Sequence, residues 1–196
     1  MTPRPFVVSQ RLLASALLRP GQLWSSLSPH RRYPGGPRKK ALLIAINYSR
    51  AQNPNDRLSG LQQEMEKLKA LLLKQYGYIE SAIVVMSDED GIDPQLSPTR
   101  ENILREIERL YEDQEPGDQY LFYFAGHSCQ KDTDDKKEED GRNELIMPVE
   151  SYPPDGPVDT EKAIVDDVLK ELLVDRLDAK SRLTVGLLFL LLERGY

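Results

Sequence analysis

The chain has 196 residues, a formal net charge of −6, and 39% hydrophobic against 30% charged residues. That length fits one ordinary domain with a tail, and the apolar content can form a core, which excludes a wholly disordered chain. No apolar run reaches the roughly 18–20 residues that a membrane-spanning helix needs. The single cysteine, Cys129, excludes an internal disulfide framework and a thiol-rich zinc site.

Charge is divided unevenly along the chain. Residues 1–40 contain eight Arg or Lys residues and no acidic residue, whereas residues 41–196 contain 18 basic and 32 acidic residues, a balance of −14. An acidic body lacks the basic face that general nucleic-acid binding requires, so we expect no nucleic-acid partner. The sequence therefore predicts a basic tail over residues 1–38 and a domain over residues 39–196.

The tail contains six of the fourteen prolines, which interrupt regular structure. One segment, Ser9–Arg19, has the pattern of an amphipathic helix that ends before Pro20. An Arg- and Ser-bearing start without acidic residues resembles a mitochondrial transit peptide, and a disordered basic extension is the alternative. We expect a cytoplasmic protein, with import into mitochondria as the alternative location.

Apolar runs alternate with helical patterns through the rest of the chain. Continuous runs predict buried strands at 41–46, 82–86, 120–124 and 183–192, and a shorter one at 144–147. Apolar residues at helical spacing predict helices that begin near Leu61, Thr99 and Val165. The pattern favours an α/β fold in which helices cover both faces of a parallel sheet. Functional groups of such folds collect at the carboxyl ends of the strands.

His127 is the main candidate for chemistry. It is the only histidine of the domain, because His30 lies in the tail, and it follows the third predicted strand. We expect it on a loop, where an imidazole can take up and release protons near neutral pH; a loop histidine without a task is the alternative. Cys129 is better explained as a half-buried thiol than as its catalytic partner, because neighbours two apart rarely leave room for substrate.

Asp166 and Asp167 open the third predicted helix. Acidic residues there ordinarily cap the helix or interact with its dipole. Paired carboxylates can also bind calcium, a hard cation that takes oxygen ligands. The acidic segment 132–140 is most simply a solvated loop. Neither a Gly-x-Gly-x-x-Gly segment after a strand nor a Walker-type motif is present, which argues against an unrelated nucleotide or small-ligand binder.

An ordered set of segments resembles metacaspases, the caspase-like cysteine peptidases of fungi, plants and protists. The segments are 39–48, 58–60, 76–78, 84–88, 98–103, 123–130, 139–149 and 164–167. The resemblance covers about residues 39–184, and fungal metacaspases look most similar. It implies a caspase-like three-layer α/β sandwich with a mostly parallel sheet, incomplete at the C-terminus. It also implies cleavage of peptide bonds after Arg or Lys, often with calcium required.

The resemblance also implies roles for individual residues. His127 matches the catalytic histidine, and Asp166 and Asp167 match two calcium ligands. Asn143 stands where the family usually has an acidic ligand, which weakens or removes calcium binding. The family's nucleophilic cysteine follows the fourth core strand, where ungapped counting finds Leu190.

We therefore expect the N-terminal portion of a cysteine endopeptidase domain, altered or truncated at its C-terminal end and inactive as written. Its partners would be protein or peptide substrates if any activity remains. The alternative is a non-catalytic caspase-like module that binds or regulates a full-length relative.

Overall fold

The computed structural model of the chain describes residues 36–132 and 142–191. The predicted helix at 9–19 and most of the acidic segment, residues 133–140, lie outside the described residues. Within these ranges one sheet contains β1 (Lys39–Ala45), β2 (Ile83–Ser87), β3 (Gln119–Asp132), β4 (Arg142–Ile146), β5 (Ile164–Val165) and β6 (Arg182–Leu191). The α-helices are α1 (Leu61–Gln75), α2 (Arg100–Leu110) and α3 (Asp166–Lys170), the last continued by a π-helical turn, Glu171–Asp175.

The sheet is mostly parallel, as the sequence predicts. Its order is β2–β1–β3–β4–β5, and β6 pairs with β3. Strands β1, β2, β3 and β6 are parallel to one another, whereas β4 runs antiparallel to both β3 and β5. The carboxyl ends of the four parallel strands therefore lie at one edge of the sheet, where ligand sites of α/β folds are found.

Alternate residues of β1 face two different hydrophobic cores. Leu42 and Ile44 pack into the core that α2 and α3 cover, whereas Ala41, Leu43 and Ala45 pack into the core that α1 covers. This alternation follows from the period of two along a strand. The molecule is thus a three-layer, caspase-like α/β sandwich with helices on both faces of the sheet.

The helices begin close to the predicted positions. The Thr99 side chain accepts a hydrogen bond from the Asn102 backbone N–H at the start of α2. The N-cap residue of α3 is Val165, not an aspartate, although the Asp166 carboxylate accepts a hydrogen bond of 3.0 Å from the Asp167 backbone N–H. Both carboxylates lie in the first turn instead, where they favour the helix dipole. Within the described residues no helix is both long and apolar enough to cross a membrane.

Strand β3 differs most from the sequence-based expectation, because it continues through residues that we expected to form a loop. It has 14 residues and includes His127. Strand β1 pairs with β3 as far as Ala125, and β4 pairs with it from Ser128 onward, while β6 pairs with it from Gln119 to Ser128. These neighbours supply the hydrogen bonds that extend the strand, and two of them, β1 and β6, lie far from it in sequence.

Candidate active site

His127 lies where the neighbour of β3 changes from β1 to β4. Its backbone N–H donates a hydrogen bond of 2.9 Å to the Tyr48 hydroxyl, which in turn donates one of 2.6 Å to the Met147 carbonyl. The His127 carbonyl accepts a hydrogen bond of 3.1 Å from the Met147 N–H. The tyrosine hydroxyl thus bridges two backbone groups at the junction between the paired segments.

The imidazole of His127 packs against two aromatic rings, and the residue is only 1% exposed. The Tyr48 ring stacks on it with centroids 4.6 Å apart and planes inclined by 27°. The Tyr152 ring lies 4.9 Å from the imidazole and 4.6 Å from the Tyr48 ring. Two tyrosines therefore fix the plane of the imidazole and separate it from solvent.

The ring nitrogens of His127 are distinguished by a backbone contact. Nε2 lies 2.7 Å from the Asp56 carbonyl oxygen. A carbonyl can only accept, so Nε2 carries a hydrogen and the neutral ring has its lone pair on Nδ1. Burial raises the pKa of the Tyr48 phenol well above its usual value, so the hydroxyl keeps the proton that it donates to Met147.

Asp88, at the carboxyl end of β2, fixes the turn that carries Tyr48. Its carboxylate accepts hydrogen bonds of 2.8 Å from the Asn47 N–H and 2.9 Å from the Ser49 N–H, the two residues that flank Tyr48. The backbone of Tyr48 has a φ of 52°, in the left-handed region that a bulky residue rarely adopts. Two hydrogen bonds to one carboxylate therefore support a strained conformation.

A cleft of about 390 Å³ lies against the two tyrosines that cover the imidazole, and His127 itself is not among the described residues that line it. Both tyrosines that contact His127 form part of its wall, and it lies at the carboxyl edge of β1 and β2. Its apolar lining consists of Tyr48, Ala51, Ile92, Pro94, Val149 and Tyr152. Six polar or charged side chains also line it, namely Ser49, Arg50, Asp88, Glu89, Ser97 and Thr99. A cleft that combines apolar surface with polar groups can bind a ligand.

Cys129 lies on β3 two residues beyond His127 and is half-buried. Its thiol donates to the Met147 sulfur at 3.4 Å. Burial raises the pKa of the Cys129 thiol, although Lys131 acts in the opposite direction. A thiol that stays protonated at neutral pH is a poor nucleophile.

The position that the family resemblance assigns to the nucleophile is a register neighbour of His127. In the parallel pairing of β3 with β6, Leu190 is the Cα partner of His127, and the adjacent pairs are Gly126 with Phe189 and Ser128 with Leu191. Residue 190 is therefore next to His127 across the sheet, and it is a leucine.

The three candidate calcium ligands come from neighbouring segments. Asn143 lies in β4, and β4 pairs with β5, directly before Asp166 and Asp167. Asp166 is half-buried and Asp167 is exposed. Within the described residues, no three acidic, histidine or cysteine side chains are grouped as metal ligands. Calcium ordinarily takes six to eight oxygen ligands, and Asp166 and Asp167 supply carboxylates on one helical turn.

Sequence reasoning missed the contacts of Tyr48, Tyr152 and Asp56 with His127. Tyr48 is the second residue after a predicted buried strand, the place where α/β folds carry functional groups, and that position is the signal that points to it. Tyr152 and the Asp56 carbonyl have no comparable signal, since they reach His127 only through the tertiary fold.

The comparisons with known proteins agree on one family. Residues 39–187 match the family model described as "Metacaspase, peptidase C14 domain". Metacaspase-1 of Eremothecium gossypii is 34% identical over 146 residues, and Metacaspase-1A of Neurospora crassa is 35% identical over 147 residues. The aligned segments are 74% and 75% of this chain but only 30% of each relative.

A solved structure supports the fold alone. The crystal structure of protein GSU0716 from Geobacter sulfurreducens superposes with a TM-score of 0.55, at 19% identity, over 78% of this chain and 50% of that one. The family model spans most of the chain, including every strand up to Leu187 in β6. The chain therefore belongs to the metacaspase family, and its residues 39–187 match the family's peptidase C14 domain.

Proposed function

We propose that this chain is the histidine-bearing portion of a metacaspase-type endopeptidase and that His127 is its proton-transferring residue. The observation that carries the proposal is the Nε2 contact with the Asp56 carbonyl, which leaves the lone pair on Nδ1. A histidine whose tautomer is fixed in this way can accept a proton from a thiol and return it to a leaving amine.

The same proposal holds that this 196-residue chain does not hydrolyse peptides. Covalent hydrolysis needs a nucleophile close to the base, and residue 190, the register partner of His127, is leucine. Cys129 is the only cysteine in the 196 residues, and its raised thiol pKa and its contact with Met147 disfavour that role.

Hydrolysis of an Arg-containing peptide substrate, with and without calcium, tests this proposal. We expect no turnover above that of a His127→Ala variant. Robust turnover that is lost in Cys129→Ala would overturn the assignment and identify a local Cys129–His127 pair as the catalytic unit.

The substrate class within this proposal is a polypeptide that lies in the cleft of about 390 Å³ whose wall includes Tyr48 and Tyr152. Its apolar wall favours burial of a substrate side chain, and its polar rim offers groups for the peptide backbone. NMR signals of Ile92 and Val149 should move when the Arg-containing peptide is added. Leu71, an exposed apolar residue on α1, is the control whose signals should not move.

Calcium binding through Asp166, Asp167 and Asn143 is a further element of the proposal, and we expect it to be weak. Asn143 stands where the family usually has an acidic ligand, so calorimetry should find no binding tighter than the millimolar range typical of weak extracellular sites, about 1 mM. Any heat of calcium binding that persists in the double variant Asp166→Ala and Asp167→Ala would come from another site.

A second candidate function is a non-catalytic module that associates with a full-length relative. The observation in its favour is β6, which among the described strands pairs only with β3, so one of its edges can accept another strand. Pull-down of a full-length metacaspase by this chain supports that function. If the chain does not associate with the relative and aggregates instead, the module hypothesis is rejected and the first proposal stands.

For location, we propose the cytoplasm, with mitochondria as the alternative because of the basic, acid-free residues 1–38. A fluorescent fusion to residues 1–40 distinguishes the two locations, since diffuse signal contradicts import.

A further inference from the structure

We propose that Tyr48 is the positioning residue for His127. It holds the backbone and the ring of the histidine in the arrangement that brings Nε2 to the Asp56 carbonyl. This inference rests on the proposed role of His127, but it concerns the orientation of the imidazole, which can be measured without any hydrolysis.

The first support is the place of the Tyr48 hydroxyl in the sheet. The pairing of β1 with β3 ends at Ala125 and that of β4 begins at Ser128. The Tyr48 hydroxyl accepts a hydrogen bond of 2.9 Å from the His127 N–H and donates one of 2.6 Å to the Met147 carbonyl. Without it, a buried donor and a buried acceptor at the histidine would both lose these hydrogen bonds.

The second support is the absence of a side chain at Gly126. A Cβ at this position would lie 2.7 Å from Tyr48 Oη and 3.0 Å from Phe124 Cζ. Glycine thus leaves the space through which the hydroxyl reaches the strand. The residue before the histidine is therefore adapted to the tyrosine contact.

The third support is the conformation of Tyr48 itself. Its φ of 52° is unfavourable for a residue with a Cβ, and Asp88 stabilises it by accepting the N–H groups on both sides. Backbone strain of this kind persists only where surrounding contacts compensate it. Here the strained turn directs the ring onto the imidazole, at a centroid distance of 4.6 Å.

Tyr120, which lies on the same strand as His127, provides a matched control. Like Tyr48 it is 1% exposed, and its hydroxyl also makes a buried hydrogen bond, to the Asp118 carboxylate at 3.1 Å. A Tyr120→Phe variant loses an equally buried hydroxyl at the amino end of β3, seven positions before His127. General loss of stability is therefore common to both variants, and only an effect on the imidazole is specific to Tyr48.

The experiment is NMR of the ¹⁵N-labelled chain in a His30→Ala background, so that one imidazole remains. We expect the His30→Ala parent, with Tyr48 intact, to show a single tautomer of His127, protonated at Nε2. In Tyr48→Phe, which keeps the stacked ring, both tautomers should be populated and the His127 amide should exchange with solvent about tenfold faster. Tyr120→Phe should leave the tautomer and this exchange rate unchanged.

A folded Tyr48→Phe with the wild-type tautomer and exchange rate would overturn the inference. If that variant does not fold, Asp88→Asn decides the question, since it weakens the support of the strained turn and leaves Tyr48 in place. A shift of the imidazole toward mixed tautomers then supports the inference, and an unchanged imidazole refutes it. Neither result depends on peptide hydrolysis. Failure of the proposed proton-transfer role of His127 would therefore appear in the hydrolysis assay and not in these NMR measurements.

Discussion

The two ends of β3 each bury a tyrosine hydroxyl, but they use it differently. At the amino end the Tyr120 hydroxyl and the Arg38 guanidinium both donate to the Asp118 carboxylate, so a buried charge is neutralised within the protein. At the carboxyl end the Tyr48 hydroxyl bridges two backbone groups, and its ring stacks on an imidazole and lines a cleft.

The difference separates an end whose contacts favour stability from the end that carries the proposed site. Asp118 accepts from Arg38, Glu115 and Tyr120, and its own carbonyl accepts from Arg182, so it joins the starts of β1, β3 and β6. Each of these donors and the Asp118 carboxylate thus finds its hydrogen-bond partner within the protein. The His127 end instead contains a strained backbone, a fixed tautomer and a neighbouring cavity, the features that functional sites combine.

The largest effect should come from Asp118→Ala. It removes the acceptor of a buried hydroxyl, of two backbone N–H groups and of a guanidinium. We expect a loss of about 3 kcal/mol in the free energy of unfolding, measured by urea denaturation. The imidazole tautomer of the remaining folded molecules should be unchanged. A loss below about 1 kcal/mol, or an altered tautomer, would contradict the division between the two ends.

Gly126→Ala should disturb the carboxyl end alone. The added methyl group would lie 2.7 Å from Tyr48 Oη, and we expect a cost of about 2 kcal/mol from overpacking. Gly186→Ala on β6 is the matched control, because its Cβ meets the ring of the half-buried Tyr123 at 2.9 Å, which has more freedom to shift. Equal costs in urea denaturation would show that strand crowding, not the Tyr48 contact, determines the effect.

A third test asks whether Tyr152 shields the imidazole. Diethyl pyrocarbonate acylates accessible imidazoles, and His127 is 1% exposed with the Tyr152 ring against it. In Tyr152→Ala we expect the modification of His127, mapped by mass spectrometry, to be about tenfold faster, equivalent to roughly 1.4 kcal/mol. The rate at His30 serves as the internal reference, and an unchanged ratio of the two rates would contradict shielding.

Local signals in the sequence predicted the elements, and tertiary contacts determined the site. The buried run at 41–46 and the Thr99 cap correspond closely to β1 and to the start of α2, because both depend on residues near in sequence. The strand conformation of His127 was not predictable in the same way. It depends on β4 and β6, and its neighbour Tyr48 is 79 positions away along the chain.

The smallest effect concerns the pH dependence of the amino end. Burial would raise the pKa of Asp118, but hydrogen bonds from Glu115, Arg38 and Tyr120 outweigh it and lower that pKa below its ordinary value. A carboxylate with a lowered folded-state pKa stabilises the fold fully above its unfolded value, and this contribution disappears as pH falls below about 4.

Asp118→Asn removes that ionisation and retains an oxygen acceptor. The difference in unfolding free energy between wild type and this variant should therefore be constant near neutral pH and shrink on acidification below about pH 4. The change is smaller than the loss in Asp118→Ala because a protonated carboxyl group still accepts hydrogen bonds. A difference that grows on acidification would mean that the folded protein binds the proton more tightly than the unfolded chain does, and that burial, not the converging donors, dominates at this end of β3.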